Sequence, residues 1–308
     1  MKKRLFPLLL ALLLLAGCTP QGGPDPTPSP TETEPAAEEV SVRDFFVAKM
    51  TEEQRQLYEV LESGVITEGE PYLFDEPLLS GDEDQKWLAM LDVLDLYNAL
   101  HAVRRWQWGK YVLITNEDFT GFVGVERGEA IVPVGSREEM TAAFEPVFEE
   151  WVAKLPGKDA SDEKKVRAIC DLMCNELEYN YESLEGGWSR ENHDRNRFAG
   201  SEYGALVYGM CVCEGYAQTF QCLAEALGLD SIVVSGETRS AHHAWNLVRV
   251  DGQWYHVDVT WMDNGDPERP DESWLLRSDE EFLTSHWNFN ACGRRPRQQR
   301  PVPAAGGA

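Results

Sequence analysis

The dipeptide Asp251-Gly252 separates two runs rich in β-branched and aromatic residues, His243–Val250 and Gln253–Trp261. An Asp-Gly pair between such runs signals a two-residue hairpin, because both turn positions need positive φ and these residues reach it at low cost. A hairpin of this kind sets its own register. Val250 pairs with Gln253, and stepping outward places Trp245 opposite Asp258 and His243 opposite Thr260. Side chains alternate along a strand, so His243, Trp245 and Asp258 project from one face and His242 from the other. His243 and Asp258 become diagonal neighbours, about 7–8 Å apart at the backbone, a gap that two side chains bridge. A one-residue slip would undo this, so the inference rests on the turn. His256 shares the face and reads as a packed strand histidine with a hydrogen bond.

A helix supplies the second constraint. Glu214–Leu227 carries Ala217, Phe220, Ala224 and Leu227 on one face and stops at Gly228. Cys213 falls where loop becomes helix. There the dipole and the free N–H groups favour negative charge on sulfur and can cradle a developing oxyanion. Cys211 lies in the preceding loop and Cys222 sits two turns into the helix, both without that advantage. A thiolate, an imidazole that moves protons and a carboxylate that orients the imidazole form a coherent acyl-transfer set. The hairpin alone does not bring Cys213 to His243; that step needs the fold.

The remaining cysteines do not compete. Seven over 308 residues are too few for a disulfide scaffold in a chain long enough to build its own core. Cys170 and Cys174 lie one turn apart on an expected helix and read as small buried side chains. With neither Cys-x-x-Cys nor His-Glu-x-x-His present, no structural or protease-type zinc site and no cofactor is expected.

Further helices are expected from Thr51, whose capping box with Gln54 opens a helix to about Leu61, over Lys86–Val103, from the Ser136 capping box to about Leu155, and over Asp162–Tyr179 behind Ser161. Tyr111–Thr115, Phe122–Val125, Ala130–Val134 and Ser231–Ser235 read as strands, and Arg190–Gly200 as a polar loop. At the N-terminus, Met-Lys-Lys-Arg precedes the apolar run Leu5–Ala16. That run is too short to span a bilayer and reads as an export signal. It ends Leu15-Ala16-Gly17-Cys18, which resembles a bacterial lipobox, so Cys18 is the expected lipidation site and membrane anchor. Thr19–Glu39, rich in Pro, Thr and Glu, reads as a flexible tether. The division is then signal 1–17, tether 18–39, an N-terminal region 40–157 of mixed helix and strand, a catalytic domain 158–290, and a disordered tail 291–308. A net charge of −25 argues against nucleic acid and anionic headgroups as partners.

Several stretches carry a resemblance to a known family. Tyr203-Gly-Ala-Leu-Val, Val212-Cys-Glu-Gly-Tyr-Ala217, His243-Ala-Trp-Asn246 and Tyr255-His-Val-Asp-Val-Thr-Trp261 resemble the bacterial transglutaminase-like superfamily. Lys165–Leu172, Leu177–Tyr181 and Trp274–Trp287 are similar to flanking parts of the same family. The resemblance implies an α+β, papain-like fold with the nucleophile at a helix N-terminus packed on an antiparallel sheet. It implies Cys213 as nucleophile, His243 as base and Asp258 as its orienting carboxylate, with Glu214 and Trp245 beside the substrate or oxyanion. Cys211 and His242 are additions to the pattern without an assigned role. The implied activity is extracytoplasmic acyl transfer on peptide or protein amides, with hydrolysis ahead of amine cross-linking. A non-catalytic binding module on the same fold is the contrasting reading. Substrate and oligomeric state are not legible.

Overall fold

The computed structural model describes residues 41–67, 69–78, 84–101, 111–127, 137–184, 193–266 and 268–290, all within one unit spanning residues 39–308. The signal, tether and tail, the Ala130–Val134 strand and the Ser136 cap lie outside these residues. In chain order the elements are α1 Val42–Val47, α2 Glu52–Glu62, β1 Tyr72–Leu78, α3 Asp84–Leu100, β2 Tyr111–Thr115, β3 Phe122–Arg127, α4 Arg137–Lys154 and α5 Asp162–Glu176. They continue as β4 Glu178–Tyr179, α6 Tyr181–Leu184, α7 His193–Arg197, α8 Glu202–Tyr208, β5 Met210–Cys211, α9 Cys213–Ala226 and β6 Ser231–Thr238. The last are β7 His242–Val250, β8 Gln253–Val257, α10 Val259–Met262, α11 Asp279–Phe282 and β9 His286–Asn290.

The hairpin forms the centre of a four-stranded antiparallel sheet ordered β8-β7-β6-β9. Its ladder runs from Val250↔Gln253 to Asn246↔Val257, in the register set by the turn. Asp251 and Gly252 take φ of 50° and 83°, the two positive values that such a turn demands. The second strand stops earlier than expected. β8 ends at Val257, and residues expected as strand up to Trp261 instead form α10 with Asp258 as N-cap. Asp258 therefore meets His243 from a helix cap rather than from a ladder position. The physical reason is local: Asp258 Oδ1 accepts the Trp261 N–H at 3.2 Å, which turns the chain into a helix.

Helix α9 packs across this sheet and is buried on more than the single face expected. Tyr216, Thr219, Phe220, Cys222 and Leu223 are all enclosed, as a helix walled by sheet on one side and by α5 and α8 on the other must be. Asn246 Nδ2 on β7 donates to the Ala217 carbonyl at 3.0 Å, fixing the helix axially on the sheet. In front of α9, β4 pairs in parallel with β5, Tyr179 opposite Cys211. This corrects the expected continuation of α5 to Tyr179: the helix stops at Glu176 because the next residues are taken by β5. Part of the expected loop at Arg190–Gly200 is also helical, as α7.

The N-terminal region contributes its own sheet, ordered β1-β3-β2, with α2 and α3 against it. Strand β1 carries no alternation clear enough to read from sequence, and a break in its register with β3 explains why. A mixed apolar cluster joins this region to the four-stranded sheet through Phe46, Leu96, Ile232, Val234 and Trp245. Gln221 adds polar ties, donating to the Ala99 carbonyl at 3.1 Å and accepting from Val233 N–H at 3.2 Å.

Gly215, in the first turn of α9, is the tightest point of the nucleophile segment. A Cβ there would sit 2.6 Å from the Ala199 carbonyl oxygen and 2.5 Å from Cys211 Cβ. Backbone cannot yield as a side-chain tip can. Gly215→Ala is expected to cost about 1–3 kcal/mol by overpacking, read as a lower urea midpoint with an unchanged m-value.

Candidate active site

Five free cysteines fall among the described residues, and four of them, Cys170, Cys174, Cys211 and Cys222, are buried; Cys213 alone is partly exposed. Burial holds the Cys170 and Cys211 thiols far above the ordinary range and pushes Cys174 up to about 12. Those thiols are packing groups. Cys213 is the first residue of α9, where the N–H groups of the opening turn have no carbonyl partner within the helix. The Tyr179 hydroxyl lies near its backbone, and the Tyr179 ring packs against Tyr216 and Tyr181.

The structure brings Cys213, His243 and Asp258 together. His243 Nε2 lies 2.8 Å from Asp258 Oδ2, and the Cys213 side chain is near enough to the ring to help raise its pKa. With Nε2 committed to the carboxylate, Nδ1 is the nitrogen left for sulfur. His243 is buried, whereas His242 on the opposite strand face is exposed. The alternation that distinguishes the two histidines in the sequence thus decides which one reaches Asp258.

Burial by itself would lower the His243 pKa. The charge and hydrogen bond of Asp258, with those of Cys213, outweigh it and push the imidazole up to about 10. Burial would likewise raise Asp258, but its two imidazole partners hold it below the ordinary carboxylate range. The ring is an imidazolium at neutral pH, ready to give a proton.

A third group at the site comes from the Trp274–Trp287 stretch, to which the sequence assigns no site residue. His286, the first residue of β9, is fully buried with Nε2 3.2 Å from the same Asp258 Oδ2. What positions it is the Ser278–Glu281 capping box, which starts α11 and aims the chain back along β6. That box is readable in the sequence; the histidine's partner is not. His243, Asp258 and His286 are also the one group among the described residues whose ligand-type atoms, within 4.8 Å of one another, could hold a metal ion. The 2.8 and 3.2 Å separations are those of hydrogen bonds.

Two expected neighbours of the substrate are placed differently. Trp245 is buried behind His243, and its indole N–H is given to His256 Nδ1 at 3.0 Å, so it presents no donor to the cleft. A large aromatic on the inward face of a central strand is core first. Glu214 occupies the first turn of α9, with its carboxylate accepting from Gln218 at 3.3 Å. A carboxylate cannot donate to an oxyanion; only the Glu214 backbone can.

Because the His243 pKa is raised on folding, its stabilising contribution is complete below about pH 6.5 and is lost as pH rises toward about 10. The Asp258 contribution, from a lowered pKa, is lost instead in acid. The stability difference between the native chain and His243→Ala is therefore expected to be largest near pH 5–6 and to shrink steadily to pH 10 in urea titrations.

Part of the chain matches known proteins. Residues 149–259 match the family model described as the transglutaminase-like superfamily. Kyphoscoliosis peptidase of Mus musculus is 29% identical over 124 residues, covering 36% of this chain and 18% of that protein. The Homo sapiens protein of the same name is 27% identical over 126 residues, covering 37% and 18%. The chain thus spans less than a fifth of the length of these relatives. Among solved structures, a crystal structure of a TGase aligns at 18% identity with a TM-score of 0.35, covering 75% of this chain and 62% of that one. Over residues 149–259, the chain carries a domain of the transglutaminase-like superfamily.

Proposed function

We propose that the protein is a cysteine-dependent peptidase or amidase in which Cys213, His243 and Asp258 act as nucleophile, proton carrier and orienting carboxylate. One observation carries this reading. The single partly exposed thiol among the described cysteines stands at a helix N-terminus beside a buried imidazole anchored on a buried carboxylate. Cys213 sulfur attacks the amide carbonyl carbon, and the oxygen takes up negative charge beside the first-turn N–H groups of α9. The C–N bond then breaks as His243 gives its Nδ1 proton to the departing amine, leaving a thioester. His243, now neutral, accepts a proton from water as the water oxygen attacks the thioester. Acid is released, and the Cys213 thiolate and the His243 imidazolium are restored.

The printed name of the mouse and human relatives, peptidase, favours water over an amine as the second nucleophile. The lipobox-like Cys18 and the acidic tether region favour action at the outer face of a bacterial membrane, on peptides or surface proteins.

Purified residues 40–308 and the Cys213→Ala variant, incubated with peptide libraries with and without an added amine, are expected to differ by mass spectrometry. Free-acid products from the native chain alone are the outcome required; amine adducts would instead make it a transglutaminase, and identical profiles would leave a binding module. At neutral pH, iodoacetamide is expected to label Cys213 in the native protein, and His243→Ala to slow that labelling by roughly 10²-fold or more. Replacing Cys18 by serine is expected to move the protein from the membrane to the soluble fraction of an expressing bacterium.

A further inference from the structure

We propose that His286 is a positioning residue of the active site: its Nε2–H pins the Asp258 carboxylate so that Oδ2 stays in line with His243. This rests on the role given above to His243 and Asp258 and extends it by one residue.

Asp258 has no exposed surface, so its charge must be met by protein donors. Three are present, and they come from three directions. Trp261 N–H holds Oδ1 at 3.2 Å. His243 and His286, from β7 and β9 on either side of β6, both hold Oδ2, at 2.8 and 3.2 Å. With Oδ1 tied only to the cap of the short α10, rotation of the carboxyl group is opposed on the Oδ2 side by His286. Without it, the one donor left on Oδ2 would be the ring that Asp258 is supposed to orient.

His286 is itself immobilised. Ser285 Oγ lies 2.8 Å from Nδ1 and 3.1 Å from the Phe282 carbonyl; with the ring proton on Nε2, its one hydroxyl proton is given to Nδ1. The ring stacks on Phe282 with centroids 4.0 Å apart and meets Trp261, Trp245 and Trp274 at 4.4, 4.8 and 5.5 Å. Aromatic walls on this scale leave the imidazole one orientation, with Nε2 toward Asp258. The titratable groups facing it are Asp258 and His243. His256 lies across Phe282 and is paired to Asp279 at 2.9 Å, and Glu237 on β6 is engaged by Trp287 at 3.2 Å. The pattern is that of a group whose work is done through the residue it holds. An apolar residue in the same aromatic box would pack equally well but leave Oδ2 one donor short.

Glutamine carries an amide nitrogen at the reach of Nε2; asparagine places one nearer Nδ1; phenylalanine keeps the ring and removes the donor. The readout is the downfield Nε2 proton of His243 in ¹⁵N-histidine-labelled residues 40–308 at neutral pH, which reports the His243–Asp258 bond without any substrate. The native chain and His286→Gln are expected to show it in slow exchange. In His286→Asn and His286→Phe it is expected to exchange about ten-fold faster or be lost. Should the phenylalanine variant not fold, the Gln–Asn pair still isolates the donor, since both lack the ring. An unchanged proton in Asn and Phe, or equal loss in Gln and Asn, overturns the proposal. Iodoacetamide rates at Cys213 in the same proteins separate it from the enzymatic reading. If the proton responds as described while labelling is indifferent to both His286 and His243, the positioning role stands and the catalytic reading fails.

Discussion

A buried negative charge organises this molecule. Asp258 is fully enclosed, and a carboxylate taken out of water must be repaid by donors or become protonated. Its partners are a backbone N–H from α10, an imidazole from β7 and an imidazole from β9. Satisfying it therefore requires the hairpin, the cap that ends the hairpin, and the return of the chain after α11 to be in place together. The site is not laid on a finished scaffold. Meeting the charge of Asp258 is one of the conditions that the scaffold fulfils.

The second condition is how closely α9 approaches what precedes it. Val212 N–H bonds the Ala199 carbonyl at 2.8 Å, and that same oxygen leaves no room for a side chain at Gly215. β5 in turn pairs with β4, which brings Tyr179 to the nucleophile backbone. Close backbone packing thus delivers Cys213 to the surface end of a buried helix, while Asn246 ties that helix to the strand bearing His243. Cys213 and His243 meet because the helix cannot slide along the sheet.

How much of this could be read beforehand depends on how local each cause is. The Asp-Gly turn is a two-residue event, and the register it implies runs through every rung of β7 and β8. The Thr51–Gln54 capping box is equally local and forms as read. Where neighbours distant in sequence decide, reading fails. Asp258 caps a helix because Trp261 can fold back onto it and because its own N–H goes to the Trp274 carbonyl. Leu177–Tyr179 leaves helix because β5 offers a partner. β1 is hidden by the break in its register, and His286 by the 28-position separation from its acceptor. The core of the site was legible because its groups sit at turn-fixed and cap-fixed positions; its supporting residues were not, because contact alone defines them.

The paired residues of the sequence show the same division. Cys211 and Cys213 differ by two positions, yet one is sealed under Gly215 and the other stands at a helix end. His242 and His243 differ by one, and the pleat sends the first to solvent and the second to Asp258. A third histidine, His256, accepts from Trp245 at Nδ1 and so must carry its proton at Nε2, facing Asp279. Burial lowers its pKa, and it remains the neutral spacer behind a charged pair. Four histidines lie within this sheet, and the hydrogen-bond partners each can reach distinguish them. Identity of the side chain sets what chemistry is possible; the hydrogen bond at its second nitrogen decides which histidine performs it.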